Sequence, residues 1–394
     1  MDPRWFAPPN RPIRPVDSGA AAANGAAMLT LLLPPGPVRS AAGVPAILWI
    51  AYDLRRHTTG KIEQDYLNAI NVFTCLMRYV DFCVVNVPER EFHRVRPDGG
   101  TEPENHVRNM TIRQKLRWGF DLFMTMRGVG WNWRVKNVEE VPVHLTRWQY
   151  VFQRLVSMGY CYLLMDVHEY LVEHSQFRTG VVGLDFFSIP LGRQVLLSWS
   201  VAVYSGCSMA IGYNLVSAVM VGSGLSSPQS WPFLFGSFAQ KGYTLRNIWG
   251  SCWHQLHRRW FESANSLLLR MLKLTKGSLS SRYLQLYNAF FLSAVMHHVG
   301  SLNNPYSPMA WSQAAFFLMQ PVAITCEDLA IHFGRKAGLQ KTRKTKALGF
   351  AWVGLALSYT LRYAAAAFYA AGLGTARHPL VARIQLTRRI FGQV

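Results

Sequence analysis

Charge is what this sequence is short of. Of its 394 residues only 16% are Asp, Glu, Lys or Arg, while half are hydrophobic; soluble globular proteins carry about a quarter charged residues. From Gln194 to Gln240 there is no charged side chain at all. That scarcity speaks against an ordinary soluble enzyme and predicts an integral membrane protein. Acid is scarcer than base, with 21 Asp+Glu against 41 Lys+Arg and a net charge of +20. A nucleic-acid binder would gather that excess on a basic helix or patch of a soluble fold. Here the basic residues fall between apolar segments, so the expected partners are an anionic membrane surface or a phosphate-bearing ligand, and no nucleic acid.

Other absences exclude other chemistries. None of the six cysteines forms a C-x-x-C pair, and most lie in or beside apolar segments. They read as reduced, small hydrophobes, with no disulfide framework and no structural zinc. There is no G-x-S-x-G elbow, no P-loop and no G-x-G-x-x-G fingerprint. The N-terminus, rich in Pro and Arg, does not read as a cleavable signal peptide.

What is present is a series of apolar segments. Gln194 opens QVLLSWSVAVYSGCSMAIGYNLVSAVMVG, longer than the roughly 20 residues that cross a bilayer. Tyr283–Leu302, Met309–Cys326 and Ala347–Leu373 are further candidates. Tyr66–Val85 and Trp148–Met165 are weaker, because they carry Arg78, Asp81 and Arg154. With two short N-terminal stretches, Ala27–Leu33 and Ala41–Tyr52, the reading is an all-α polytopic protein with about seven or eight transmembrane helices. Re-entrant or interfacial segments are expected beside them, the aromatic SSPQSWPFLFGSF foremost. Residues 1–24 read as a polar Pro/Arg-rich N-terminus and 25–394 as a single membrane domain. Within it lie a charged, non-periodic loop at 87–146 and a motif-bearing core at 194–330. Six Lys or Arg between Arg335 and Lys346 predict a cytosolic loop. The tail holding Arg383, Arg388 and Arg389 is basic too, with one apparent span between them, so the charge rule does not fix the topology.

The chemistry-bearing residues concentrate in WPFLFGSFAQKGYTLRNIWGSCWHQLHRRWF, Trp231–Phe261, and in the later SAVMHH. His297 sits within an apolar helix, where ionisable groups usually face a cavity or a partner. His298, adjacent to it, is turned by about 100° and cannot share its site. If Trp231–Phe261 were helical at its end, Trp249, Trp253 and Trp260 would fall near one face, and His254 and His257 could share another. An amphipathic interfacial helix explains that pattern as well as a site does. A di-iron centre does not, since the other histidines are scattered and no H-x-x-H-H box exists; no metal is expected.

WPFLFGS, TLRNIWGSCWHQLHRR and SAVMH together resemble the wax-synthase-like branch of the membrane-bound O-acyltransferases. They are more narrowly similar to fungal members that acetylate terpenoid and meroterpenoid alcohols. The resemblance covers about residues 194–330. It implies an O-acetyltransferase with that family's fold, acetyl-CoA as co-substrate and no bound cofactor. It further implies a hydrophobic alcohol as acceptor, membrane lipid as surroundings and the endoplasmic reticulum as location; it says nothing of oligomeric state. By position His297 matches the family's proposed general base. His254 stands where sterol and diacylglycerol acyltransferases place an asparagine. Trp249, Gly250 and Trp253 match the frame around it. Arg246 and Arg258 are candidates for the phosphates of coenzyme A. Ile248, Ser251-Cys252 and Ala294 depart from the family's usual Phe, basic residue and Gly, which puts the acceptor pocket in doubt. A neutral histidine suits deprotonation of an attacking alcohol. The competing readings are a long-chain acyltransferase making wax or sterol esters, and a non-catalytic transporter.

Overall fold

The computed structural model describes residues 2–14, 18–95, 100, 106–178, 185–375, 377–378, 381 and 384–391. Arg383 of the basic tail lies outside them, as do parts of the 87–146 loop. In chain order the long helices are α1 (Gly19–Thr30), α2 (Pro37–Leu54), α3 (Ile62–Val80), α4 (Ile112–Met124) and α5 (Arg147–Glu173). They continue with α6 (Leu191–Gly222), α7 (Arg258–Met271), α8 (Leu279–Leu302), α9 (Ala310–Lys336) and α10 (Arg343–Ala370). Among the described residues the only β pairing is two isolated bridges. The chain forms two compact units. One holds Met1–Lys136 and Gln255–Tyr306, the other Asn137–His254 and Ser307–Val394.

In the first unit α1, α2 and α3 pack on one another and α3 packs on α8. Small residues bring α1 close, with Ala23 and Ala27 fully buried against Ile47, Val72 and Tyr79. The stretch after residue 87 joins this core. A capping box between Thr111 and Gln114 starts α4, and Trp118, Leu122, Phe123, Trp131 and Trp133 enter the same cluster. The N-terminus is drawn in as well: Phe6, Ala7 and Arg11 are buried, and the Ala7 N–H donates to the Leu302 carbonyl at 2.9 Å.

The charges that make α3 look interrupted are satisfied internally. Arg78 donates to the Leu122 and Thr125 carbonyls at 2.9 and 3.2 Å and lies over the rings of Phe82 and Phe123. Asp81, 1% exposed, accepts two hydrogen bonds from Arg259. Buried charge is tolerated only when paired in this way.

In the second unit α5 and α6 run along each other, and α10 packs on both α6 and α9. A Thr146–Gln149 capping box starts α5. Its buried Arg154 donates to Asn214 Oδ1 and to the Trp231 carbonyl, each at 3.3 Å, with its guanidinium 4.0 Å from the centre of the Phe233 ring. α6 closes through Gly224, whose φ of +80° suits glycine alone among residues without strain. From there to Ser237 the chain is irregular apart from a single 3₁₀ turn at Pro228–Ser230, as the Pro and Gly content predicts.

Among the described residues three helical stretches are both long and apolar enough to cross a membrane: Ile62–Val85, Leu191–Gly222 and Ala310–Lys336.

Candidate active site

The Trp231–His254 segment belongs to the second unit and is held there residue by residue. Tyr150 and Tyr213 donate to the Trp231 and Pro232 carbonyls. The Gly236 N–H bonds the Cys252 carbonyl at 2.9 Å, and a Cβ at Gly236 would collide with the Ser251 carbonyl oxygen. Glu327 on α9 accepts the N–H groups of Leu245 and Arg246 at 2.6 and 3.1 Å, and also the Trp352 indole N–H at 3.0 Å. The chain then makes a π-type turn over Ile248–Cys252 and leaves it extended at Trp253.

This turn sets the aromatic frame. Trp249 Nε1 donates to Gln320 Oε1 at 3.1 Å, and its ring packs edge-on against Trp253 and Phe316. Phe235 sits against both Trp253 and His254. The single helical face expected for Trp249, Trp253 and Trp260 does not form, nor does a shared face for His254 and His257. The wide turn shifts the register, helix resumes only at Arg258, and Trp260 belongs to the first unit.

In the first unit α8 carries His297. Its Nδ1 lies 2.7 Å from Tyr66 Oη on α3, across 231 positions of sequence. The contact follows from how the two helices meet. Tyr66, Ile70 and Thr74 recur every fourth residue and form one stripe. Tyr66 and Ile70 face Gly300, and Thr74 bonds Met296 Sδ, so the helices run antiparallel. Their end is pinned by a buried cluster in which Arg11 donates to Asp65 Oδ2 and to the Asn303 carbonyl, while Asn303 Nδ2 donates to the Asp65 carbonyl.

His257 is another imidazole of this unit, near enough to His297 to interact with it electrostatically. An indole N–H can only donate, so the 3.3 Å bond from Trp260 Nε1 leaves His257 Nδ1 as acceptor. Burial, and then the neighbouring Arg78, push His257 down to about 4, which keeps it neutral at physiological pH. On its far side Trp260 borders an open cavity of about 270 Å³ among α3, α7 and α8. Met77, Val80, Leu267 and Leu292 give it apolar walls, with Asp81, Ser263 and Asn288 as polar points.

Residues 231–319 match the Membrane bound O-acyl transferase family. The chain is 30% identical over 359 residues to the acetyltransferase sirH of Emericella nidulans, covering 88% of this chain and 82% of that one. The chain belongs to the membrane-bound O-acyl transferase family. It is likewise 31% identical to the acetyltransferase ple2 of Rhodocybe pseudopiperita, over 78% of this chain and 80% of the relative. With the O-Mevalon transferase macI of Penicillium terrestre it shares 27% identity, over 67% and 63% of the two chains. No solved structure matches. This acyltransferase is therefore a membrane enzyme, and the transporter reading falls.

Within the acyltransferase the predicted residues divide between the two units. His254, Trp249, Trp253 and Arg246 lie in one, His297 and Arg258 in the other. Both arginines are engaged by carboxylates, Arg246 with Asp328 and Arg258 with Glu262; Arg258 also donates to the amide oxygen of Gln255. Sequence reasoning missed Tyr66, Gln320 and Glu327, and it set His257 beside His254 where the structure sets it against Trp260. For Tyr66 the one available signal was its fourth-residue stripe with Ile70 and Thr74; nothing local links it to His297.

Proposed function

We propose that this acyltransferase moves an acetyl group from acetyl-CoA to a hydroxyl of a hydrophobic secondary metabolite, a terpenoid or meroterpenoid alcohol, with His297 as general base. The observation that carries the reading is a buried imidazole on an apolar helix, its Nδ1 held by Tyr66, in a chain whose relatives sirH and ple2 are named acetyltransferases. His297 takes the alcohol proton as the oxygen attacks the thioester carbonyl. The tetrahedral oxyanion collapses and expels the coenzyme A thiolate, which recovers that proton from the imidazolium. No acyl-enzyme is required.

His254, set among Phe235 and Trp253, is proposed to orient the acyl donor or donate to the oxyanion. The Trp249–Trp253 frame supports it. Donor phosphates would meet the exposed basic loop from Arg335 to Lys346, or Arg246 and Arg258 on exchange of their present partners. The apolar cavity beside Trp260 suits the body of a hydrophobic acceptor. The proposed setting is the endoplasmic reticulum membrane, crossed seven or eight times.

A second reading, transfer of a larger acyl group, is favoured by the name of macI, an O-Mevalon transferase. Membranes from expressing cells, incubated with acetyl-CoA, palmitoyl-CoA or a mevalonyl thioester and a panel of terpenoid alcohols, separate these by mass spectrometry of the esters. Acetyl esters are expected, and lost in His297→Ala at unchanged protein level. Esters from the larger donors alone would overturn the acetyl assignment, and an active His297→Ala enzyme would overturn the base.

A further inference from the structure

We propose that Tyr66 is a positioning residue that sets the tautomer of His297, its phenol oxygen accepting a hydrogen bond from Nδ1–H so that the Nε2 lone pair is left for the acceptor alcohol. The inference rests on His297 as the base and adds the group that makes it one.

A neutral imidazole carries one proton on two nitrogens. If the Tyr66 hydroxyl donated into Nδ1, that proton would sit on Nε2, and neither nitrogen would have a lone pair for substrate. If Nδ1–H donates to Tyr66 Oη, Nε2 is basic. The 2.7 Å separation permits either polarity; only the second lets His297 work as a base. On proton transfer Nδ1–H becomes part of an imidazolium, and a bond to the phenol oxygen then strengthens.

The geometry is fixed for such a role. Tyr66 is buried at 5% exposure, its ring lies against Gly300 one turn beyond His297, and the neighbouring Asp65 is locked by Arg11, Thr58 and Thr59. Ionisable groups near His297 include Tyr66 from α3 and His257 from the turn before α7, which in turn feels Arg78; His298, next on α8, is turned away by about 100°. The phenol oxygen of Tyr66 is the group placed on Nδ1, where many acid–base pairs place a carboxylate.

Tyr66→Phe keeps the ring and deletes the acceptor. Purified enzyme should then lose kcat about 10- to 100-fold with KM for donor and alcohol unchanged, part of the roughly 10²–10⁴-fold that general-base catalysis supplies. Fluorotyrosines at position 66 provide a second test without removing a hydroxyl. Ring fluorination weakens the phenol oxygen as an acceptor and strengthens its O–H as a donor, so kcat should fall stepwise with fluorine number. A flat or rising series, or a Tyr66→Phe enzyme with wild-type kcat, would overturn the proposal. His297→Ala, assayed alongside, separates the two ideas: inactive His297→Ala with active Tyr66→Phe sinks only the role of Tyr66, while active His297→Ala sinks the base itself.

Discussion

Gly300→Ala tests the apposition of α3 and α8 on which the site depends. A Cβ at Gly300 would lie 2.7 and 2.8 Å from two carbons of the Tyr66 ring and 3.1 Å from Ile70 Cγ1. Unstrained carbon contacts fall at about 3.5–4.0 Å, so the neighbours must retreat by roughly 0.8 Å. Tyr66 cannot turn aside cheaply, being buried and bonded to His297. Overpacking of this kind costs about 1–3 kcal/mol, and alanine returns about 0.5–1 kcal/mol of that through its better helix propensity. The net loss is about 1–2 kcal/mol, a few degrees in Tm.

The effect on turnover should be larger than the effect on stability. A retreat of roughly 0.8 Å stretches the 2.7 Å Tyr66–His297 bond to about 3.5 Å, beyond useful hydrogen-bond length. Gly300→Ala should therefore approach the kcat of Tyr66→Phe while melting only slightly lower than wild type. The double variant should lose little further activity, because both changes break the same bond. Fluorescence thermal shift and initial rates at saturating substrates, on detergent-purified enzyme, measure both quantities. A variant within twofold of wild-type kcat and 1 °C of its Tm would refute the close approach of these helices.

Two further outcomes follow from groups outside the His297 pair. His257, pushed down to about 4 from 6.5, stays neutral in the fold while the unfolded chain protonates at its ordinary value, so its contribution to stability is present above pH 6.5 and lost as pH falls toward 4. The full shift is worth roughly 3 kcal/mol; with some ring surface still open to water, a loss of about 1–2 kcal/mol by pH 5 is expected. His257→Gln should flatten that acid limb in thermal shifts between pH 7 and 5, and an unchanged limb would refute the assignment. Glu327 accepts three N–H donors at the start of the turn that carries Trp249, and hydrogen bonds to a charged acceptor are worth about 1.5–3 kcal/mol each before overlap. Glu327→Ala should lower stability by roughly 2–4 kcal/mol in thermal shift and raise KM for the acyl donor; a normal Tm would show the cap to be dispensable.

Much of the architecture was legible because membrane helices declare themselves by composition. The charge-free run from Gln194 became the 32-residue α6, and the Pro- and Gly-broken stretch after it stayed irregular. The motif residues were legible by type, not by shape. Trp249, Trp253 and Trp260 have helical spacing, but the wide turn at Ile248–Cys252 uses more residues per turn than 3.6 and ends in extended backbone at Trp253. Periodicity cannot register a local change of period. Tyr66 was missed for a different reason: its meaning lies in a partner 231 positions away, chosen by the antiparallel register that Gly300, Asp65 and Asn303 impose.

Polar groups paired inside the protein weigh differently from polar groups that meet lipid. α5 has 27 residues, about 40 Å at 1.5 Å per residue and ample for a bilayer core of about 30 Å, yet it is not among the three stretches apolar enough to qualify. What lowers its score is polar residues already spoken for, such as Arg154 against Asn214, the Trp231 carbonyl and the Phe233 ring. A hydropathy window charges such a residue as though it met lipid. The real cost is that of a satisfied group inside protein, several kcal/mol lower than for a bare charge in hydrocarbon. In α5 Arg154 is such a group: its partners come from α6 and from the segment after it, so its charge ties the parts of the second unit together.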